Sequence, residues 1–265
     1  LFNNSFIRLF NIFSLFRFSF YFFIYNILFH MSDVVHPISK YMGISLSNNY
    51  GIPQNKLLAH PECASNFFLK YDKKIQTKKI DIIYIGTLEG RNPLFFVDVM
   101  SQVVLSKPDC CLTIIGWDSI KRESQIIIKE SKRRNLERNI KIRKKVDYYD
   151  LPKIISNSKI GIAPIPDTEI YKYSTPTKIL DYLSLEIPVI ANHEIKDSKY
   201  IIDESGGGLL VDYSPNDFAT SIVKLLEDKR LASNMGKIGK KWIKKERTLS
   251  QLSEEIDLKY KKIFS

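Results

Sequence analysis

The chain has 265 residues, a formal net charge of +11 and 44% hydrophobic residues. That apolar content supports a real core and excludes global disorder, and the length fits one large domain or two small ones. The positive balance suits a phosphorylated substrate, an anionic membrane surface or nucleic acid. Most of the lysines read as a solvated face, and the basic residues are not interleaved with aromatics as a nucleic-acid sheet would require.

Residues 9–29 are densely aromatic. The run is long enough for a bilayer, but Arg17 near its middle is costly there, and no small-residue cleavage site follows it. A helix packed in a domain or lying at a membrane interface is the expectation. Val34-Val35-His36-Pro37-Ile38 and Lys56-Leu57-Leu58-Ala59 read as short strands, with a helix capped by Ser39 between them. The charged, non-periodic stretch 70–79 is the best domain boundary.

A regular rhythm follows. Strands are expected at Ile80–Ile85, Cys111–Ile115, Ile140–Arg143, Lys159–Ala163, Ile187–Ala191 and Leu209–Val211. Helices are expected at Pro93–Val104, Ser119–Asn135, Tyr149–Ser156, Pro215–Glu227, Lys229–Glu246 and Ser250–Ile263. Strands separated by helical segments of this length predict a parallel sheet covered on both faces. Ligands bind such sheets at the carboxyl ends of the strands, where the Gly86, Gly116 and Pro164 turns fall.

The most informative stretch is 174–191. Pro176 is expected at the first position of a helix, with Ser174 and Thr175 capping its amides. Ile179, Leu180 and Leu183 form the apolar face. Free amides, the helix dipole and Lys178 make a site for a phosphate, and Asp181 is placed to accept from sugar hydroxyls beside it. Asp181 alone would be no more than a charge favouring the dipole. Its company with Lys178, Arg91 and Pro176 favours function. Cys63, Cys110, Cys111 and the four histidines show no metal-site spacing, and the cysteines suit a reducing compartment.

Several landmarks recur in order: Gly86 with Arg91, Ile114-Ile115-Gly116, Ile160-Gly161-Ile162-Ala163-Pro164, Pro176-x-Lys178-x-x-Asp181-Tyr182, Ile187-Pro188-Val189-Ile190-Ala191 and Gly208-Leu209-Leu210-Val211. Together they resemble the C-terminal, donor-binding half of a GT-B glycosyltransferase of family 4 (group 1). Ser32-Asp33-Val34-Val35, Ser39-Lys40 and Tyr50-Gly51-Ile52-Pro53-x-x-Lys56 resemble the end of that family's N-terminal domain.

The resemblance implies an α/β fold of GT-B type, a Rossmann-like parallel sheet with helices on both faces and a partial N-terminal α/β portion. It implies an acceptor-side portion over 1–75, a nucleotide-sugar-binding domain over 76–245, and a C-terminal helix over 246–265 packing back toward the N-terminal part. It places the donor diphosphate at Gly86, Arg91, Ser174, Thr175, Thr177 and Lys178, and the ribose at Asp181, where most members have Glu. The family's first acidic residue on this motif falls at Tyr173, with Glu169 close but out of register, so the contact to the transferred sugar departs from the family pattern.

The implied activity is transfer of a hexosyl group, with retention, from a nucleotide sugar to a polysaccharide or lipid-linked acceptor. No cofactor or metal is expected, and nucleic acid is not an expected partner. The expected place is the cytoplasm, at the inner face of the membrane, with peripheral contact through the aromatic segment and the basic stretch around Trp242. Roughly 60 to 75 residues precede the second domain, about half of what a full acceptor domain needs. A nucleotide-binding remnant without catalysis is therefore the alternative, and a GT-B-fold sugar-nucleotide epimerase the next.

Overall fold

Alternate residues of one strand, β1 (Ile80–Thr87), feed two different cores. Ile82 and Tyr84 point into one and Ile83 into the other, all fully buried. An apolar run with period-two alternation and both sides buried is what a central parallel strand requires. The computed structural model describes residues 20, 21, 23–71, 80–117, 122–143 and 146–264. Residues 9–19 of the aromatic segment, positions 72–79 of the expected boundary, and Lys144 and Lys145 after the third strand lie outside them.

Contacts divide the chain into two units, 1–61 and 62–265. In the first, a helix (α1) includes residues 23–31, and α2 spans Lys40–Tyr50. Ser39 caps α2 by accepting from Met42 N, and Gly51 ends it in the left-handed region at φ 66°. The two short strands expected here reduce to a single parallel bridge between Val35 and Leu57. Lys56 donates instead to the carbonyls of His30 (2.8 Å) and Ser32 (3.0 Å). α1 leaves Phe20, Tyr21, Phe23, Tyr25, Leu28 and Met31 exposed. No helix among the described residues is long and apolar enough to cross a membrane.

The second unit opens with a short helix, α3 (Asn66–Leu69). It continues β1, α4 (Pro93–Ser106), β2 (Leu112–Trp117), α5 (Arg122–Arg133), β3 (Ile140–Arg143), α6 (Leu151–Ser156), β4 (Ser158–Ala163), α7 (Thr177–Ser184), β5 (Val189–Asn192), α8 (Lys196–Ser205), β6 (Gly208–Val211), α9 (Pro215–Glu227), α10 (Lys229–Glu246) and α11 (Leu249–Phe264). The strands form one parallel sheet in the order β3-β2-β1-β4-β5-β6. Helices α4, α5 and α9 cover one face, packing Phe96, Ile127 and Phe218 onto Ile82, Ile114 and Ile160. Helices α3, α6, α7, α8 and α10 cover the other, with Phe68, Ile155, Leu183, Ile201 and Ile243 against Ile83, Ala163 and Val189. The strand order reverses between β1 and β4. A crevice forms at such a reversal beyond the carboxyl ends of the strands.

Two expectations are corrected locally. Pro176 is the N-cap of α7, one position earlier than expected, and no side chain caps the helix. Ser174 Oγ instead donates to Tyr171 O at 2.7 Å, closing its own turn. Arg247, at the end of the basic C-terminal stretch, is buried and paired with Asp197 at 3.0 Å.

Candidate active site

The crevice at the β1–β4 reversal is assembled from three turns. The first leaves β1 through Gly86, whose φ of +139° is closed to L side chains, and a Cβ there would come within 3.1 Å of Lys178 Nζ. The glycine therefore lets the backbone and the lysine amine approach one another. Arg91 follows at the entrance to α4, its guanidinium 4.3 Å from the centroid of the Tyr171 ring. The second turn, 164–176, supplies Tyr171 and delivers the chain to α7. The third, after β5, is fastened by Asn192, whose side chain accepts from Ile165 N (2.9 Å) and donates to Ile165 O (3.0 Å).

Tyr182 locks α7 onto the sheet. Its hydroxyl accepts from Ile85 N at 2.9 Å, just before Gly86. The ring lies on β4 at Gly161, where a Cβ would be 2.4 Å from Tyr182 Cδ2, so only glycine leaves room for it. The motif tyrosine thus fixes where Lys178 and Asp181 stand.

Lys178 is partly buried. Its amine lies 4.4 Å from the Tyr84 ring centroid and donates to the Tyr84 hydroxyl at 3.4 Å, while that hydroxyl donates to Thr87 O at 2.8 Å. Burial, with help from the neighbouring Arg91 charge, pulls the amine down to about 7. Burial pushes the Tyr84 phenol up to about 12. Arg91 Nε and Nη1 are enclosed and have no hydrogen-bond partner among the described residues. Asp181, one turn deeper in α7, is pushed up to about 7 by burial alone. Two cations and a carboxylate are therefore held partly out of water, with no ion pair to any of them among the described residues, an arrangement that favours an anion and a hydroxyl-bearing ligand.

The structure brings Gly86, Arg91 and Lys178 together, with Asp181 on the same helix as Lys178. Thr177 is exposed at the start of α7, where the first amides have no partner within the helix. Tyr173, Ser174 and Thr175 lie partly buried in the turn before it. Glu169 is set apart: its side chain is 82% exposed and pairs with Lys172 at 3.1 Å. Sequence reasoning did not single out Tyr84, Tyr171, Asn192, Glu194 or Tyr213. Tyr84 follows strand alternation and reads as core, and the others are recognisable only once the turns are side by side.

Among the described residues, His193, Glu194 and Asp212 present ligand atoms within 4.8 Å of one another at the ends of β5 and β6. His193 Nε2 already bonds Asp212 Oδ1 at 2.5 Å, and the Glu194 oxygens accept from Asn192 Nδ2 (2.9 Å) and Tyr213 N (2.8 Å).

A profile of the family described as Glycosyl transferases group 1 matches residues 79–228, more than half of the chain and all of the crevice. The chain belongs to the group 1 glycosyl transferases. Among curated proteins no match was found. Sucrose-phosphate synthase from Thermosynechococcus elongatus is similar in structure, with a TM-score of 0.73 at 17% identity over 92% of this chain. So is WaaG, a glycosyltransferase involved in lipopolysaccharide biosynthesis, with a TM-score of 0.68 at 12% identity over 84%. Anabaena HepE in complex with UDP and glucose gives 0.65 at 11% identity over 87%. This chain spans 61%, 61% and 63% of those three chains respectively. Its parallel six-stranded sheet with helices on both faces matches the α/β fold of GT-B glycosyltransferases.

Proposed function

We propose that this chain binds a nucleoside diphosphate sugar and serves its transfer to a polysaccharide or lipid-linked acceptor, as a family 4 member acting with retention. The observation that carries the reading is the Arg91–Lys178 pair. Two neighbouring cations, one with two enclosed and unpartnered N–H groups, are destabilised as they stand and are relieved by a diphosphate. The Gly86 turn and the start of α7 supply close backbone approach and unpaired amides to the same phosphates. Ser174, Thr175 and Thr177 border them, and Asp181 accepts from the ribose hydroxyls.

In the transfer step the bond from the sugar to the distal phosphate breaks, and negative charge grows on the departing diphosphate. Arg91, Lys178 and the α7 dipole are in place before that charge appears, so they favour the transition state over the bound donor. HepE in its complex with UDP and glucose lends support to a UDP-linked donor, and WaaG to a cell-envelope acceptor. The exposed aromatics of α1 and the exposed Lys237, Lys241, Lys244 and Lys245 suit a peripheral position at the cytoplasmic face of a membrane.

Thermal shift against UDP, GDP and ADP tests the reading, since a ligand that binds only the folded state raises the melting temperature. Stabilisation by one of them, lost in Asp181→Ala, is the expected result; no response to any of the three overturns it. Turnover of the matching sugar donor then separates a transferase from a chain that binds without transferring.

A further inference from the structure

Tyr213 follows β6 at the carboxyl end of the sheet, partly buried, and its hydroxyl makes no hydrogen bond among the described residues. Its position is nevertheless fixed twice. The backbone N–H donates to Glu194 Oε1 at 2.8 Å, and the ring stacks on Phe95 with centroids 4.5 Å apart and planes 12° from parallel. Phe95 lies in the first turn of α4, four residues beyond Arg91, and adjoins Phe96, whose ring lies 4.7 Å from Tyr84. The aromatic chain Tyr213–Phe95–Phe96–Tyr84 therefore links the Tyr213 ring, through the first turn of α4, to the ring against which Lys178 lies.

We infer that the Tyr213 hydroxyl donates to an oxygen of the distal phosphate of the nucleoside diphosphate, so that the leaving group is held by Arg91, Lys178 and a neutral phenol. The inference rests on the donor-binding reading above. A rigid donor without a hydrogen-bond partner in the neighbourhood of Arg91 offers an anion a hydrogen bond at little ordering cost. Burial lifts the phenol to about 12 while the Arg91 charge opposes the rise, so the group keeps its proton wherever the protein is folded and cannot repel a phosphate. Stacking on Phe95 alone would be satisfied by phenylalanine, and it leaves the hydroxyl unexplained.

Tyr213→Phe retains the ring and removes only the hydroxyl. Calorimetric titration of the full chain with UDP, GDP and ADP, and with the corresponding monophosphates, reads the effect. The variant should bind the preferred diphosphate about tenfold more weakly, as expected for one hydrogen bond to a charged group. The monophosphate and the melting temperature without ligand should be unchanged. Equal diphosphate affinity in both proteins, or an equal loss for mono- and diphosphate, would overturn the inference while leaving the donor-binding reading intact. If the unaltered chain binds no diphosphate, both fall together.

Discussion

The Lys178 amine lies 4.4 Å from the centre of the Tyr84 ring and within hydrogen-bonding reach of its hydroxyl, and no carboxylate pairs with it among the described residues. A lysine kept against an aromatic face and beside Arg91 is held charged only at a cost. The same cost makes it responsive to an arriving diphosphate.

The pH dependence follows. The folded amine titrates near 7 against an ordinary value of 10.5, so between those limits the unfolded chain binds more protons. Ligand-free stability should rise with pH across that window, the cost being fully present below about pH 7. Lys178→Met should flatten the rise, stabilise the free protein most below pH 7, and weaken diphosphate binding by about 10- to 100-fold. Urea unfolding between pH 6 and 10, with parallel titrations of UDP, GDP and ADP, checks both halves.

Asp181 has the opposite slope. Its folded carboxyl titrates near 7 against an ordinary 3.8, so the native state binds the extra proton in between and stability falls as pH rises through that range. Asp181→Asn should remove the fall and leave the free protein more stable at pH 8 by about 1–3 kcal/mol. Binding of the nucleoside diphosphate should weaken in the same variant while binding of inorganic pyrophosphate is unchanged. A variant that loses both equally would separate Asp181 from the ribose.

Tyr182→Phe removes the acceptor of the Ile85 amide. Leaving that amide unpaired should cost about 1–3 kcal/mol of unfolding free energy. Gly161→Ala drives a methyl into the same ring and should be destabilising by a similar ~1–3 kcal/mol through overpacking. Both are read from urea midpoints, with nucleotide affinity falling as α7 loses its anchorage.

Arg247, just after α10, is buried against the first turn of α8. It donates to Asp197 Oδ1, lies 5.5 Å from the Tyr200 ring centroid, and its carbonyl accepts from Ala64 N at 2.9 Å. Arg247→Ala should cost about 3–5 kcal/mol, because it leaves a charge buried, whereas Arg247→Met with Asp197→Leu should recover much of the loss. Thermal unfolding of the single and double variants makes the comparison.

The helices Pro215–Glu227 and Lys229–Glu246 and the strand Ile140–Arg143 have the ends their sequence implies. Each is bounded by local chemistry, such as Pro215 at the start of α9 and Asp228 capping α10 by accepting from Leu231 N. The expected strands at 34–38 and 56–59 shrank to one bridge because two short apolar runs have no sheet to join.

What the sequence determined by itself is the alternation of strand and helix, hence the parallel sheet, and the grouping of Gly86, Arg91, Lys178 and Asp181. Periodicity, caps and the motif around Pro176 act over a few residues and are readable there. Only the tertiary structure decided that Tyr84 is both core and lysine support, that Arg91 lies over the Tyr171 ring, and that Tyr213 stacks on Phe95 in the first turn of α4. Those contacts join positions 80 to 118 residues apart. They depend on the right-handed crossovers that bring the ends of β1, β4 and β6 to one edge, and no local pattern encodes that juxtaposition.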